Sequence, residues 1–363
     1  MTTPGKSLLF VGAFPEPAAL ERYVSADLAL RLRALGWAVN ITSRHPRRFG
    51  RARQILWGAL RHARRSSAVC VDVYSGPAFR WAEWACAIVR PMGKPIVLIL
   101  RGGDLPAFSR RHPERVRRLL ASAATVTCPS EYLLSEMRPM RDGLILLPNP
   151  LDAMRYNYRE RQPPLRRLVW LRAFHEIYNP ALAMQALGEI RKNYPDVVLT
   201  MIGPDRGDGS LQKTQQAAQN LGLAGAVTFT GAAAKQDVPG LLAQSDIFLN
   251  TTNFDNTPVS VMEAMASGLP VVSTNVGGIP WLLEDGKDAL LVPPANAEAM
   301  AAAAVRLMRE PELAQTLSRR AFEKVKAMDW TAILPRWNQL LENAIGGEAR
   351  AQARLSESFS ARP

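Results

Sequence analysis

Short, unbroken apolar runs recur along the whole chain, and segments of helical periodicity separate them. In the first half the runs are SLLFVGAF, WAVNITS, AVCVDVYS and PIVLIL, followed by ATVTCPS and LILLPNP. They are apolar throughout rather than alternating, which is the pattern of strands buried on both faces of a parallel sheet. Between the first two, ALERYVSADLALRLRALG carries apolar residues at helical spacing and stops at Gly36, a residue suited to the turn after a helix. The second half repeats the style. LRRLVWLR, DVVLTMIGP, AVTFTG, DIFLNTT and PVVST read as strands, with the helical PALAMQALGEIRKNY, SLQKTQQAAQNLGL and DVPGLLAQS between them. Such alternation predicts parallel α/β sheets. The two sets meet near PNPLD and the Arg-rich RYNYRERQPPLRR, so the chain is expected to form two doubly wound domains joined within 151–165.

The expected division is 1–155 and 156–330, then a helix over 331–345 that packs back on the first domain, and a flexible tail over 346–363. DWTAILPRWNQLLENAI puts Trp337, Leu340, Leu341 and Ile345 on one helical face, with Pro335 marking a kink. At 363 residues and 47% hydrophobic content, the chain can fill the core of one large domain or two ordinary ones. Three cysteines (Cys70, Cys86, Cys128) form no CxxC pair, which fits free thiols in a reducing, cytoplasmic compartment. Four histidines (His45, His62, His112, His175) fall in no metal-binding pattern, so no metal is expected; His175 reads as structural. No apolar run approaches the ~18–20 residues that span a bilayer, and KSLLFVGAF reads as a first strand rather than a signal sequence. The net charge of +13 calls for an acidic partner: nucleic acid, an anionic membrane or a phosphorylated substrate. Nucleic acid ranks last, because no helix-turn-helix, RNP signature or clustered stacking aromatics are present.

The stretch DNTPVSVMEAMASGLPVV, from Asp255 to Val272, follows one of the predicted strands. Thr257 suits an N-cap, Pro258 a first helical position, and Gly268 a stop after a helix reaching about Ser267. In a doubly wound sheet the head of such a helix opens at the carboxyl ends of the strands, where ligands bind. Its free N–H groups, from Val259 onward, make an anion site suited to a diphosphate. Asp255 and Glu263 lie eight positions apart, about 12 Å along a helix, farther than the ~5–9.5 Å of a glycosidase acid/base pair. They therefore suit recognition of an elongated, polyhydroxylated diphosphate such as a nucleotide sugar. From spacing alone, a cap neighbour and an exposed helix acid remain an equal reading.

This stretch resembles the donor-binding signature of the retaining glycosyltransferases of family 4, whose fold is GT-B. That signature is Glu, seven residues, Glu, then Ala-Met-Ala-x-Gly-x-Pro-Val-Val. Here it reads Asp255, seven residues, Glu263, then AMASGLPVV. NVGGIP, DGKDALLVPP, LTMIGP, VTFTG and QSDIFLN match in order, so the likeness covers about 165–340; LRGGDLP, TCPSEYL and LLPNPLD extend it more weakly. The resemblance implies two Rossmann-like domains facing a central cleft, the first for the acceptor and the second for the nucleotide sugar. It implies that Glu263 holds the donor ribose and Asp255 faces the transferred sugar. Val259 and Ser260 N–H groups would contact the diphosphate, and Arg172, in LVWLRAF, would neutralise it as it leaves. Thr230, Gly231 and Ala232 would border the base, and Gly277 and Gly278 would admit a close backbone approach. Gly12, after the first strand, is either part of a cleft loop or a simple turn.

Three positions depart from the pattern. Asp255 stands for Glu, Tyr178 stands near the place of a lysine, and Arg101 replaces the histidine before Gly-Gly-Asp. Arg101 is either a charge supplied across the cleft or part of a plain turn. The implied activity is sugar transfer with retention to a glycan or lipid-linked hydroxyl in cell-surface polysaccharide synthesis, without metal or other cofactor. The alternative is a degenerate nucleotide-sugar binder. A basic run, SRHPRRFGRARQILWGALRHARRSS, places Phe49, Ala52, Ile55, Leu56, Ala59, Leu60 and Ala63 on one helical side. Arg51, Arg61, Arg64 and Arg65 fall on the other, with Trp57 at the border. It fits either the surface of an anionic bilayer or an ordinary sheet-packing helix. With it, 44–65 and 110–118 form a candidate patch for the inner face of the cell membrane.

Overall fold

The apolar runs become strands that pair only with parallel neighbours. A computed structural model of the chain describes residues 6–12, 24–42, 48–101 and 103–346. The tail from Gly347 and residues 44–47 of the basic run lie outside the described residues. Two units divide the chain: Met1–Pro150 with Thr331–Pro363, and Leu151–Trp330.

In the first unit, β1 (Ser7–Val11), β2 (Ala38–Ile41), β3 (Ala68–Val73), β4 (Ile96–Leu100), β5 (Thr125–Cys128) and β6 (Ile145–Leu146) lie in the order β2-β1-β3-β4-β5-β6. All five pairings are parallel. Every residue of β4 is buried, as its unbroken apolar run requires. The three cysteines are buried free thiols, and burial pushes the Cys86 and Cys128 thiols up to about 12, where they stay protonated and inert. The Trp330–Gly346 helix buries Ile333, Trp337, Leu340 and Leu341. Within the first unit it is fastened by Trp37 Nε1 donating to Asn338 Oδ1 (2.8 Å), Arg336 Nη2 to the Leu146 carbonyl (2.8 Å), and a Lys6–Glu342 ion pair (2.8 Å).

In the second unit, β7 (Arg167–Leu171), β8 (Val198–Ile202), β9 (Val227–Gly231), β10 (Ile247–Asn250), β11 (Val271–Thr274) and β12 (Leu290–Val292) lie in the order β12-β11-β10-β7-β8-β9. From β7 the chain winds outward through β8 and β9, then returns to place β10 on the other side of β7 and winds the opposite way. The carboxyl ends of β7 and β10 therefore flank the topological switch point, where open α/β sheets bind ligands. The sequence reading did not mark β12 as a strand. It is a three-residue edge strand and too short for a periodicity signal.

The segment RYNYRERQPPLRR reads as a polar join, but Arg161 within it is only 3% exposed. Its Nε donates to the Ser245 carbonyl (2.8 Å), Nη1 to those of Arg159 (2.6 Å) and Ser267 (2.5 Å), and Nη2 to that of Leu242 (3.0 Å). These carbonyls include the trailing ends of the Val238–Ala243 and Val259–Ala266 helices, where intrahelical donors run out; the Leu242 carbonyl also accepts the Ser245 N–H (3.1 Å). Burial, with Arg159 nearby, lowers the Arg161 pKa to about 10, so it stays charged at neutral pH. Replacing Arg161 by Met strands the Ser245 and Ser267 carbonyls, at ~1–3 kcal/mol each. A loss of about 3 kcal/mol is expected, read as a lower denaturant midpoint at unchanged slope.

Candidate functional site

The site is assembled where β7 and β10 end. Trp170 Nε1 donates to Thr251 Oγ1 (2.8 Å), and that hydroxyl donates onward to the Tyr178 carbonyl (2.7 Å). Thr252 Oγ1 and the Asn253 N–H both reach the Ile177 carbonyl, at 3.1 and 2.7 Å. The loop after β7 is thereby tied to the loop after β10. Arg172 is the first residue past β7, and its N–H donates to the Ile202 carbonyl at the end of β8 (3.0 Å). Gly203 is required beside it, because a Cβ there would lie 1.7 Å from the Arg172 carbonyl oxygen.

Arg172 Nη2 is ion-paired with Asp255 Oδ2, and its guanidinium lies 4.3 Å from the centre of the Tyr178 ring. Tyr178, near the place of the missing lysine, thus offers an aromatic face to the arginine instead of a second positive charge. The other Asp255 oxygen accepts the Asn256 N–H (2.8 Å). The carboxylate expected to face a sugar is therefore held on Arg172 and on its own loop. Gly277 and Gly278 press on that same loop. A Cβ on Gly277 would lie 2.3 Å from the Asp255 carbonyl oxygen, and one on Gly278 2.0 Å from that of Asn256. Gly277 has φ +54°, and the Gly278 N–H donates to the Asp255 carbonyl (2.9 Å). The expected close backbone approach is real, and it fixes Asp255.

The helix that follows runs Val259–Ala266 and begins one residue later than expected. Pro258 is its flanking residue, with ψ 117°, and Thr257 does not cap it. The first helical bonds run from the Val261 and Met262 N–H groups to the Pro258 carbonyl, which leaves the Val259 and Ser260 N–H groups ahead of the ladder. Gly268, with φ +72°, follows the helix as expected. Ser260 Oγ, Thr257 Oγ1 and Arg172 Nε are buried without a hydrogen-bond partner.

Glu263 is buried, 7% exposed, and its Oε1 accepts the hydroxyl of Tyr156 (2.8 Å). Burial raises its pKa; the Tyr156 hydrogen bond and the positive charges of Lys235 and Arg172 pull the other way. Nothing in the sequence pattern points to Tyr156 or Lys235. Neither falls in the donor signature, and only the fold brings them to the helix. Thr230, Gly231 and Ala232 are exposed at the end of β9, where the Gly231 carbonyl accepts the Gly203 N–H (2.8 Å).

Gly12 and Arg101 belong to the first unit. Gly12 is buried, and its N–H donates to Thr42 Oγ1 (3.2 Å). Arg101 donates through Nε to Asp72 Oδ1 (3.2 Å), Nη1 to Asn149 Oδ1 (2.9 Å) and Nη2 to Ser25 Oγ (2.8 Å), its side chain 9% exposed. It works as a strut between strand ends of its own sheet. His175 accepts the Ile177 N–H at Nδ1 (3.2 Å), next to Asp208, which the Glu176 and Ser210 N–H groups hold at about 2. That is a structural turn. Among the described residues no group of three or more His, Cys, Asp or Glu is placed to hold a metal ion.

The basic run forms the helix Arg48–His62. Ile55, Ala59 and Ala63 are buried, so this face does pack inward, but Trp57 (59%) and Leu60 (55%) are exposed. Leu60, expected on the packed side, instead joins Arg53, Trp57, Arg61 and Arg64 in one exposed stripe at helical spacing. The Arg61 guanidinium lies 5.0 Å from the Trp57 ring centre. Among the described residues no carboxylate pairs with Arg53, Arg61, Arg64 or Arg65. The 110–118 run differs, because Arg110, Arg111, Arg115 and Arg117 pair with Glu136, Asp104, Glu83 and Glu114. Four of its arginines thus carry their own counter-ions. No helix among the described residues is long and apolar enough to cross a membrane.

Residues 166–310 match the family model described as Glycosyl transferases group 1, as the signature implied. Glycogen synthase of Mycobacterium tuberculosis is 25% identical over 248 residues, 64% of this chain and 57% of that protein. Across curated relatives, the matches span between 28% and 64% of the relative's length. Among solved structures, sucrose-phosphate synthase from Thermosynechococcus elongatus superposes with a TM-score of 0.79 at 16% identity, covering 94% of this chain and 100% of that one. Anabaena HepE in complex with UDP-glucose gives 0.74 at 17%, covering 93% and 99%. The fold is GT-B.

Gly203→Ala forces a methyl group onto the Arg172 backbone, and an overpacked contact of this kind costs about 3 kcal/mol. Thermal unfolding should show a clearly lowered midpoint. A midpoint equal to that of the parent protein would show that the β7 and β8 ends can part freely.

Proposed function

We propose that the chain is a glycosyltransferase that moves a sugar from a nucleoside-diphosphate sugar to a hydroxyl of a glycan or lipid-linked acceptor, in cell-surface polysaccharide synthesis. One observation carries this reading: the buried, unmet Ser260 Oγ, Thr257 Oγ1 and Arg172 Nε gathered about the head of the Val259–Ala266 helix. Each unmet buried polar group is destabilising by ~1–3 kcal/mol. Three of them about one helix N-terminus suit a ligand rich in acceptor oxygens, and a diphosphate is such a ligand. The likeness in fold to HepE, solved with UDP-glucose, supports a donor of this class.

In the scheme, the acceptor oxygen bonds to the anomeric carbon while that carbon's bond to the diphosphate oxygen breaks on the same face, so configuration is retained. The acceptor proton passes to an oxygen of the leaving diphosphate. Negative charge on the diphosphate grows in the transition state. Arg172 and the Val259 and Ser260 N–H groups oppose it there, and so act on rate more than on ground-state binding. Asp255 orients Arg172, Glu263 accepts the donor ribose hydroxyls, and Thr230 to Ala232 border the base. The scheme uses no metal and no organic cofactor. The rival reading, a binder without transfer chemistry, is favoured by Tyr178, which leaves one cation out of the diphosphate site.

The stripe of Trp57, Leu60, Arg53, Arg61 and Arg64 is proposed to rest on the anionic inner face of the cell membrane, bringing the chain to a lipid-linked acceptor.

Two measurements test these readings. With UDP-glucose and GDP-mannose as donors, release of nucleoside diphosphate should fall about 10²–10³-fold in kcat for Arg172→Ala, with donor KM changing less. A parent protein that binds these donors but never releases diphosphate with any glycan acceptor supports the rival. In sedimentation with phosphatidylglycerol vesicles, Arg61→Glu with Arg64→Glu should weaken binding at least about tenfold, from roughly 1 kcal/mol per basic residue. Equal binding to neutral vesicles would count against the membrane surface.

A further inference from the structure

The Tyr156 hydroxyl meets Glu263 Oε1 at 2.8 Å, and both residues are buried at 5% and 7% exposure. Tyr156 lies only five residues past Leu151, the start of the second unit. That start is stapled to the unit's end. Leu151 forms a parallel bridge with Asp329; its N–H donates to the Met328 carbonyl (3.0 Å), its carbonyl accepts the Trp330 N–H (3.1 Å), and the Ala153 N–H donates to Asp329 Oδ2 (2.9 Å). A turn over Ala153–Arg155 closes by the Tyr156 N–H donating to the Ala153 carbonyl (3.1 Å). The tyrosine is thus set by backbone bonds at the point where the chain enters and leaves the unit, and its ring joins the core beside Val261, Met262 and Met265.

We propose that Tyr156 is a positioning residue for Glu263, leaving Oε2 to accept a hydroxyl of the donor ribose. This rests on the reading that Glu263 grips the donor. A phenol hydroxyl donates one hydrogen bond, so the bond commits Oε1 and defines which oxygen is left. It also favours the ionised carboxylate, which accepts hydrogen bonds, over the buried acid, which would donate one. Burial and the Glu263 charge push the phenol's own pKa up, so Tyr156 remains the donor throughout the working range. The other charged groups acting on Glu263 are Lys235, on the loop after β9, and Arg172, after β7; Arg155 and Asp152 act on Tyr156.

The test uses the full chain and whichever of UDP, GDP and ADP gives the largest thermal shift. Tyr156→Phe should weaken its affinity about tenfold at neutral pH, the effect of losing a hydrogen bond to a charged group. Because Glu263 would then protonate more readily, the acidic limb of the affinity profile should move to higher pH. In a Glu263→Met background, which leaves the phenol no acceptor to position, Tyr156→Phe should change neither the residual affinity nor the profile further, whereas a merely structural tyrosine would lower affinity or the melting midpoint equally in both. Unchanged affinity and limb in Tyr156→Phe, alongside lost binding in Glu263→Ala, would overturn the proposal and leave the donor reading standing. Parental binding in Glu263→Ala would overturn the donor reading itself.

Discussion

The Arg172–Asp255 ion pair spans the switch point of the second sheet. β7 and β10 are hydrogen-bonded neighbours from which the chain winds in opposite directions. A cation at the end of one strand and an anion after the other join their trailing loops. Around this pair the loops are over-determined. Thr251 and Thr252 bind the carbonyls of Tyr178 and Ile177, Gly203 admits the Arg172 backbone, and Gly277 and Gly278 admit that of Asp255 and Asn256. Cooperative packing of this kind holds an arginine in one place at the head of a helix, as electrostatic catalysis demands.

The same pair explains how the site tolerates its unusual composition. A lysine beside Arg172 would add a second positive charge that only a bound anion could balance. Tyr178 instead presents its ring to the guanidinium, and Asp255 supplies the counter-charge from within the chain. Arg172 is then balanced by a carboxylate of the chain while three polar atoms remain unmet.

Much of the fold was legible in the sequence, because strands buried on both faces must be apolar throughout and helices between them must be periodic. The donor signature was legible too, since a helix head, a stop glycine and a following strand each need particular residue types. The exact helix start was not. Thr257 is a good capping type, but the conformation at Pro258 starts the helix at Val259 and leaves the Thr257 hydroxyl unmet. Arg161 looked like part of a charged linker and proved to be a buried strut. Composition cannot distinguish an arginine in water from one that binds the open carbonyls of two helix ends. Leu60 was misplaced on its helix for a related reason: the apolar arc of a helical wheel is wider than the face a sheet covers.

By itself, then, the sequence determined the alternation of strand and helix, the place of the Val259–Ala266 helix and the identity of the residues at its head. These depend on local backbone preferences and periodicity, which each residue carries wherever it stands. Tertiary structure alone decided the partners: Asp255 on Arg172 rather than free, Arg101 locked to Asp72, Asn149 and Ser25, and Tyr156 on Glu263 from 107 residues away. Such pairings follow from which strand ends and loops the winding of a sheet brings together. A carboxylate or a guanidinium will bond to whichever suitable group the fold delivers within about 3 Å.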